Sequence, residues 1–156
     1  MIEIKKISLG ATSAIVTSMG LIAGLSHGSN SKTAIIGGLL VVGIADNISD
    51  SLGIHIYKES EGVNKQEIKS STLGNFIVRL IITLLFVTIV YLFPPYIAYI
   101  VSSILGMVLL SIMSYLIARI KMTHPIREVV YHLAIALLVI IGCKLVGDFI
   151  SHHIAG

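Results

Sequence analysis

The chain has 156 residues, the size of one ordinary domain, but 55% of them are apolar and only 12% are charged. A soluble domain carries about 25% charged residues, so these charges are too few to cover a water-facing surface. The composition therefore excludes a disordered chain, a nucleic-acid-binding module and an ordinary cytosolic enzyme. With a mean hydropathy of +0.95, it predicts an all-α integral membrane protein in contact with the lipid bilayer. The net charge of +3 is expected from basic loops on one side of a membrane.

Five stretches are apolar over roughly the 20 residues that a membrane-spanning helix needs. Pro94 and Pro95 separate the third stretch from the fourth, because a proline interrupts a continuing helix. The segment 58–72 holds three lysines and three glutamates and is predicted to be the one long loop, on the cytoplasmic side. The predicted spans, which form a single transmembrane domain over 1–156, are 9–25, 33–57, 73–92, 96–118 and 126–150.

The basic residues predict the orientation of the five spans. Those on the side of the N-terminus are Lys5, Lys6, Lys58, Lys65, Lys69, Arg79, Arg119, Lys121 and Arg127. Those on the other side are Lys32 and Lys144. Because basic residues concentrate in cytoplasmic loops, the N-terminus is predicted to be cytoplasmic and the C-terminus to lie outside. The short loops and the absence of a targeting segment favour a prokaryotic cytoplasmic membrane.

The first span carries a stripe of small residues at three- and four-residue spacing, so its members share one helix face. Small side chains let two helices approach closely in lipid, where no hydrophobic effect draws helices together. The stripe predicts either tight packing within the chain or the seam of a homodimer formed through the first span, and the pattern alone does not decide. Its members are Gly10, Ser13, Thr17, Gly20, Gly24 and Gly28.

The second span contains two aspartates, Asp46 and Asp50, on one helix face. A carboxylate at membrane depth costs at least about 2.5–3.5 kcal/mol, so such residues pair, face a cavity or serve an ion pathway. No lysine or arginine lies within the first two spans, and Arg79 in the third is expected to reach the inner headgroups. The aspartates therefore predict a cation or proton site. The alternatives are protonated aspartates hydrogen-bonded between helices, or a span that places both among the cytoplasmic headgroups.

Two polar features of the fifth span are predicted to be structural. Lys144 and Asp148 are one turn apart and are expected to pair near the outer interface. His132 enters the span about one turn from its inner end and is expected to be a hydrogen-bonded interfacial group rather than a metal ligand.

Three stretches resemble sequence patterns of a known family. They are AIVTSMGLIAG at 14–24 in the first span, SDSLGIHIYKESE at 49–61 in the second, and ARIKMTHPIR at 118–127 after the fourth. The patterns are those of the vacuolar iron transporter family, five-span exporters of Fe²⁺ and Mn²⁺ with nodulin-like relatives. The resemblance covers most of the chain. It implies a homodimer whose first spans line a central pathway, with metal exchanged for protons.

The chain departs from the family pattern at the metal ligands. The family's first-span Asp falls on Ser13, its second-span Met on Asp50 and its second-span Glu on Ile54, with His55 at the family's Tyr. The family's helical metal-binding insert between the second and third spans is missing. The resemblance therefore implies the fold, while the three intramembrane ligands are not carried over.

The residues present suggest a replacement site. In a dimer, Asp46 and Asp50 would supply four carboxylates, to which Ser13 and Thr17 add oxygens, and oxygen ligands suit Mn²⁺, Ca²⁺ or Mg²⁺. Crowded carboxylates release protons when a cation binds. The sequence predicts export of an Mn²⁺- or Fe²⁺-type cation from the cytoplasm by proton antiport, with no resident cofactor. The candidate metal ligands are Asp46, Asp50, Asn47, His55, Glu59 and Glu61.

The rival hypothesis is a non-transporting membrane scaffold or accessory protein that kept the fold and lost the metal ligands. An enzyme is not expected, because metalloprotease, hydrolase and phosphate-loop motifs are absent from the sequence. The single Cys143 also excludes a disulfide framework and a zinc-ribbon site.

Overall fold

The computed structural model describes residues 2–154, with side chains from residue 8 onward. The side chains of Lys5 and Lys6, counted above in the orientation argument, lie outside the described part. The described chain is all α-helix, in five long helices joined by short connections. They are α1 (Ile2–Gly28), α2 (Lys32–Ser60), α3 (Lys65–Leu92), α4 (Pro95–Lys121) and α5 (Pro125–His153).

All five helices are long and apolar enough to cross a membrane. A helix satisfies its backbone hydrogen bonds internally, which is what a segment surrounded by hydrocarbon requires. Large apolar side chains are exposed along the outer faces, for instance Val41, Ile44 and Ile48 on α2. These features are those of a multi-pass helical membrane protein, and they confirm the five predicted apolar segments.

Local sequence signals set the helix ends. Ser31 caps α2 by accepting a hydrogen bond from the Ala34 amide at 3.3 Å, and Asn64 caps α3 by accepting one from the Glu67 amide at 2.8 Å. Proline occupies the first position of both α4 and α5, where its missing N–H leaves no helical bond unmade.

The connection between α2 and α3 is much shorter than its hydrophilic sequence suggests. The segment 58–72 is mostly helical, since α2 continues to Ser60 and α3 begins at Lys65. Lys58 and Glu67, one from each helix, form an ion pair at 3.1 Å across this connection. Hydrophilic residues here extend two helices beyond their apolar segments instead of forming a long loop.

Helix α1 occupies the middle of the bundle and packs against all four other helices. The other helices contact one another in the order α2, α3, α4 and α5. A cleft of about 1130 Å³ is lined by α1, α2 and α5. The apolar core lies around α1, where Ile15, Met19 and Ile22 are buried together with Phe86 of α3.

The glycines of the first-span stripe pack against α5 of the same chain. A Cβ on Gly20 would approach the Cys143 sulfur to 3.0 Å, and a Cβ on Gly24 would lie 3.2 Å from the Cys143 main-chain oxygen. A Cβ on Gly28 would lie 3.4 Å from the main chain of Gly147. Of the two roles predicted for these glycines, the structure shows close packing within the chain, and the homodimer seam stays a prediction.

Gly147→Ala is expected to lower the thermal unfolding midpoint in detergent, because its Cβ would collide with the main-chain oxygen of Gly24. Overpacking of this kind costs about 1–3 kcal/mol. The matched control is Gly142→Ala on the same helix, where an added Cβ meets nothing within 4 Å. Equal midpoints for the two variants would contradict the close approach of α1 and α5.

Candidate functional site

Polar side chains line the contact between α2 and α3. Four of them recur at four-residue spacing on α3 and are all buried, so they form one stripe facing inward. Buried Asn47 and Ser51 face this stripe from α2, and Asn75 donates a hydrogen bond to the Ser51 hydroxyl at 3.2 Å. The α3 stripe consists of Ser71, Asn75, Arg79 and Thr83.

Arg79 lies between the two aspartates of α2. Its guanidinium forms an ion pair with Asp50 and a second one with Asp46, with 3.6 Å between Nη2 and Oδ2. Ser13 of α1 donates a longer hydrogen bond to the same Asp50 oxygen, at 3.4 Å. Three helices therefore meet at Asp50.

The prediction that Arg79 reaches the headgroups is wrong, and so is the expectation that the aspartates lack a cationic partner. Arg79 is the fifteenth of the 28 residues of α3, and its side chain is 3% exposed. Because α3 begins at Lys65, Arg79 lies at the middle of the helix rather than near its inner end. Asp46 is likewise the fifteenth of the 29 residues of α2.

The three side chains, called the charged triad below, carry a net charge of −1 when all are ionised. The two carboxylates are 43% and 40% exposed, whereas the guanidinium is almost fully buried. Opposite charges in contact offset much of the desolvation cost that each would carry alone in a low-dielectric interior. The triad can therefore exist in the bilayer, with one negative charge left over.

A small cavity of about 10 Å³ adjoins the triad. It lies where α1, α2 and α3 meet, and Thr17, Ser18, Asp46, Arg79 and Thr83 are among its lining residues. A space of this size holds roughly one water molecule. The predicted pathway residue Thr17 thus lies beside the triad, as does Ser13.

The remaining predicted metal ligands are not gathered around the aspartates. Asn47 is buried and donates to the main-chain oxygen of Phe76 at 2.9 Å, and Glu61 accepts from the Tyr57 hydroxyl at 2.6 Å at the end of α2. His55 is half-buried and Glu59 is exposed, both nearer that same end. Within residues 8–154, no group of three or more His, Cys, Asp or Glu side chains is placed to hold a metal ion.

Two predictions about the fifth span agree with the structure. Lys144 and Asp148 form an ion pair at 3.8 Å, as their spacing predicted. His132 Nδ1 lies 3.0 Å from the Ser114 hydroxyl of α4, so it is hydrogen-bonded between two helices.

The sequence reasoning did not single out Arg79, Asn75 or Ser71 as site residues. The signal was present in the recurrence of Ser71, Asn75, Arg79 and Thr83 every four residues along an apolar helix. A polar stripe of this kind predicts that one face of a membrane helix meets polar groups on a neighbour.

The chain was also compared with known proteins. No family model, no curated protein and no solved structure matches it. The fold and the site define a five-helix membrane protein with a charged triad at the middle of its second and third helices, in which the guanidinium is buried and the carboxylates are partly exposed. The chemistry of that triad is therefore the basis for a function.

Proposed function

We propose that this protein exchanges a cation for protons across the membrane, and that the charged triad is the exchange site. The observation that carries this proposal is that two carboxylates, Asp46 and Asp50, share the single guanidinium of Arg79 at mid-helix, which leaves a net charge of −1 when all three are ionised. A structural ion pair in a membrane is cheapest when its charges balance, and a second aspartate adds cost without adding a partner. An extra carboxylate is what a site for a proton or a cation requires.

In this mechanism Arg79 and the transported cation compete for the same two carboxylates. When Arg79 lies between them, the site is closed and carries one negative charge. When Arg79 moves away, Asp46 and Asp50 present two negative charges, which match a divalent cation such as Mn²⁺ or Fe²⁺ with oxygen ligands. Protonation of the carboxylates releases the metal ion, so metal and protons move in opposite directions.

We further propose that the cation leaves the cytoplasm, entering from the end of α2 that carries Glu59 and Glu61. The excess of basic residues favours a cytoplasmic position for that end, and export is the direction that the resemblance to vacuolar iron transporters implies. The homodimer implied by the resemblance to vacuolar iron transporters stays part of the proposal, as does a prokaryotic cytoplasmic membrane. Gly20, Gly24 and Gly28 pack against α5 and also line the cleft between α2 and α5, so a partner that entered this cleft would meet the first span there.

Transport by purified protein in liposomes tests the proposal. Wild-type protein is expected to carry Mn²⁺ into the liposomes in exchange for protons that leave them. An Mn²⁺-quenched dye inside reports the Mn²⁺, and a pH dye outside reports the protons. Asp50→Asn and Asp46→Asn are each expected to reduce the rate to that of protein-free liposomes. Asp148→Asn, which makes the same change in the exposed pair with Lys144, is the matched control and should retain transport. Unchanged transport by both triad variants would refute the exchange site.

A membrane scaffold is the second candidate, and the ion pairs of Arg79 with both aspartates favour it. They join α2 to α3 and provide the cationic partner that a purely structural site requires. A scaffold should show the same thermal unfolding midpoint in detergent with and without Mn²⁺. A transporter should be stabilised by the ion it binds, because a ligand that binds only the folded state raises its stability.

A further inference from the structure

The half of the α2–α3 contact nearest residues 61–64 contains buried polar atoms without a hydrogen-bond partner. Among the described residues these include Asn47 Oδ1, Asn75 Oδ1, Ser71 Oγ and Thr72 Oγ1. Asn47, Asn75 and Ser71 are each at most 1% exposed. Buried polar groups in native proteins are paired in the great majority of cases, so several orphans along one helix contact need a physical explanation.

The orphaned atoms form a continuous column with the triad. Ser71, Asn75 and Arg79 lie one turn apart on α3, and Asn47, Asp50 and Ser51 face them from α2. At the end of the column nearest residues 61–64, the Lys58–Glu67 ion pair joins the two helices. The column therefore runs from Ser71 to Arg79, and the buried Ile68 lies between Ser71 and this ion pair at the end of the bundle.

On the other side of the triad the same helix contact is apolar. Beyond Gly43 and Thr83, the buried residues are Leu39 and Ile35 on α2 with Phe86 and Val90 on α3. Water has polar partners in one half of the contact and none in the other. The polar half of the α2–α3 contact is the half nearest residues 61–64, so water would enter from that end of the bundle.

We infer that the α2–α3 contact between residues 61–64 and Asp50 is the water-access path to the charged triad, and that it opens by separation of these two helices. In the closed form seen here, the Ser71 hydroxyl and the carboxamide oxygens of Asn75 and Asn47 have no protein partner, although both amide nitrogens donate hydrogen bonds. The closed form therefore stores an energetic cost that opening relieves. The apolar half remains packed and acts as the hinge side. The inference rests on the proposed function only in naming the charged triad as the site that the water reaches.

Orphaned hydroxyls alone are not sufficient for a path. Ser102 on α4 is also fully buried without a partner, but its neighbours one turn away on the buried face are Ala98 and Gly106. The adjacent Ser103 hydroxyl is likewise unpartnered, but no buried polar residue lies one turn away from Ser102 on the buried face of α4. Ser102 therefore provides a control that matches Ser71 in residue type and burial but not in connection to a polar column.

Cysteine accessibility in the full-length protein tests the path. Ser71→Cys and Ser51→Cys are made singly in a Cys143→Ala background, reconstituted in liposomes, and treated with a membrane-impermeant methanethiosulfonate from either side. Ser70→Cys, exposed and adjacent to Ser71, marks the side on which residues 61–64 lie. Both buried cysteines are expected to react from the side that labels Ser70→Cys, and Ser102→Cys from neither side.

Glu67→Gln supplies a second readout, because it removes the ion pair with Lys58 at the entrance. It is expected to accelerate labelling at Ser71→Cys severalfold and to leave Ser70→Cys unchanged. The path is overturned if both buried cysteines stay unlabelled while Ser70→Cys reacts, if they react only from the opposite side, or if Ser102→Cys reacts as fast as they do.

Labelling reports water access and not transport, so the two proposals can fail separately. A wild-type protein that carries no Mn²⁺ while Ser71→Cys reacts would remove the exchange function and leave the path. Mn²⁺ transport with an unreactive Ser71→Cys and Ser51→Cys would remove the path alone.

Discussion

Arg79→Gln is expected to remove about 3 kcal/mol of folding free energy, the lower end of the cost of breaking a buried ion pair, because the carboxylate partners are 43% and 40% exposed. Both Asp46 and Asp50 lose their cation in this variant, and each must then take up a proton or carry an unpaired charge at membrane depth. The measurement is the thermal unfolding midpoint in detergent, with the yield of monodisperse protein as a second readout.

The matched control is Arg119→Gln, which removes an exposed arginine near the end of α4 and should change the midpoint little. A neutral triple variant, Asp46→Asn, Asp50→Asn and Arg79→Gln, should recover more than half of the lost stability, because no unpaired charge remains. Mn²⁺ transport by the wild type, together with a triple variant that folds but does not transport, would favour exchange over the scaffold. A single Arg79→Gln variant as stable as Arg119→Gln would contradict the ion pairs of the buried guanidinium with Asp46 and Asp50.

Gly10→Leu is expected to have the second large effect, a loss of about 3 kcal/mol or more, because overpacking is combined with displacement of the triad. Gly10 is buried on α1, and a Cβ there would meet the Asn75 carboxamide and approach the Arg79 stem to 3.1 Å. A leucine side chain therefore pushes Arg79 away from the carboxylates. The thermal midpoint and the rate of Mn²⁺ transport should both fall.

Gly53→Leu is the control for this substitution, since a Cβ at Gly53 meets nothing within 4 Å. Replacing a helical glycine by leucine improves helix propensity by nearly 1 kcal/mol, so this variant should be at least as stable as wild type. If Gly10→Leu matched Gly53→Leu in both measurements, α1 would not press against Asn75 and Arg79 as described.

The five membrane segments were predictable because each is a long apolar run, and that signal does not depend on the neighbouring helices. The helix ends were less predictable at 58–72, where the sequence is hydrophilic but capped and helical. The cap at Asn64, which begins α3 just before Lys65, was readable from local sequence. Hydropathy alone reports where a helix enters lipid and not where the helix ends.

The triad was only half predictable. Asp46 and Asp50 are conspicuous within one span, but their partner lies on another helix 29 and 33 positions further along the chain. Arg79 looked like an interfacial residue only because the start of α3 was placed too late. The antiparallel packing of α2 on α3 brings Arg79 to the aspartates. That packing is indicated by the four-residue period of the polar stripe on α3 and not by the hydropathy of the helix.

The short connection at 61–64 has a consequence for how the chain enters the bilayer. Asp46 and Asp50 leave the ribosome about thirty residues before Arg79 does, so α2 emerges first with two uncompensated carboxylates. Insertion of α2 alone into lipid is unfavourable, since each carboxylate adds about 2.5–3.5 kcal/mol to the free energy of insertion. With only four residues between the helices, α3 follows at once and supplies the guanidinium. Biogenesis therefore favours release of α2 and α3 as a single hairpin, and the insertion machinery must hold the first helix until the second has arrived.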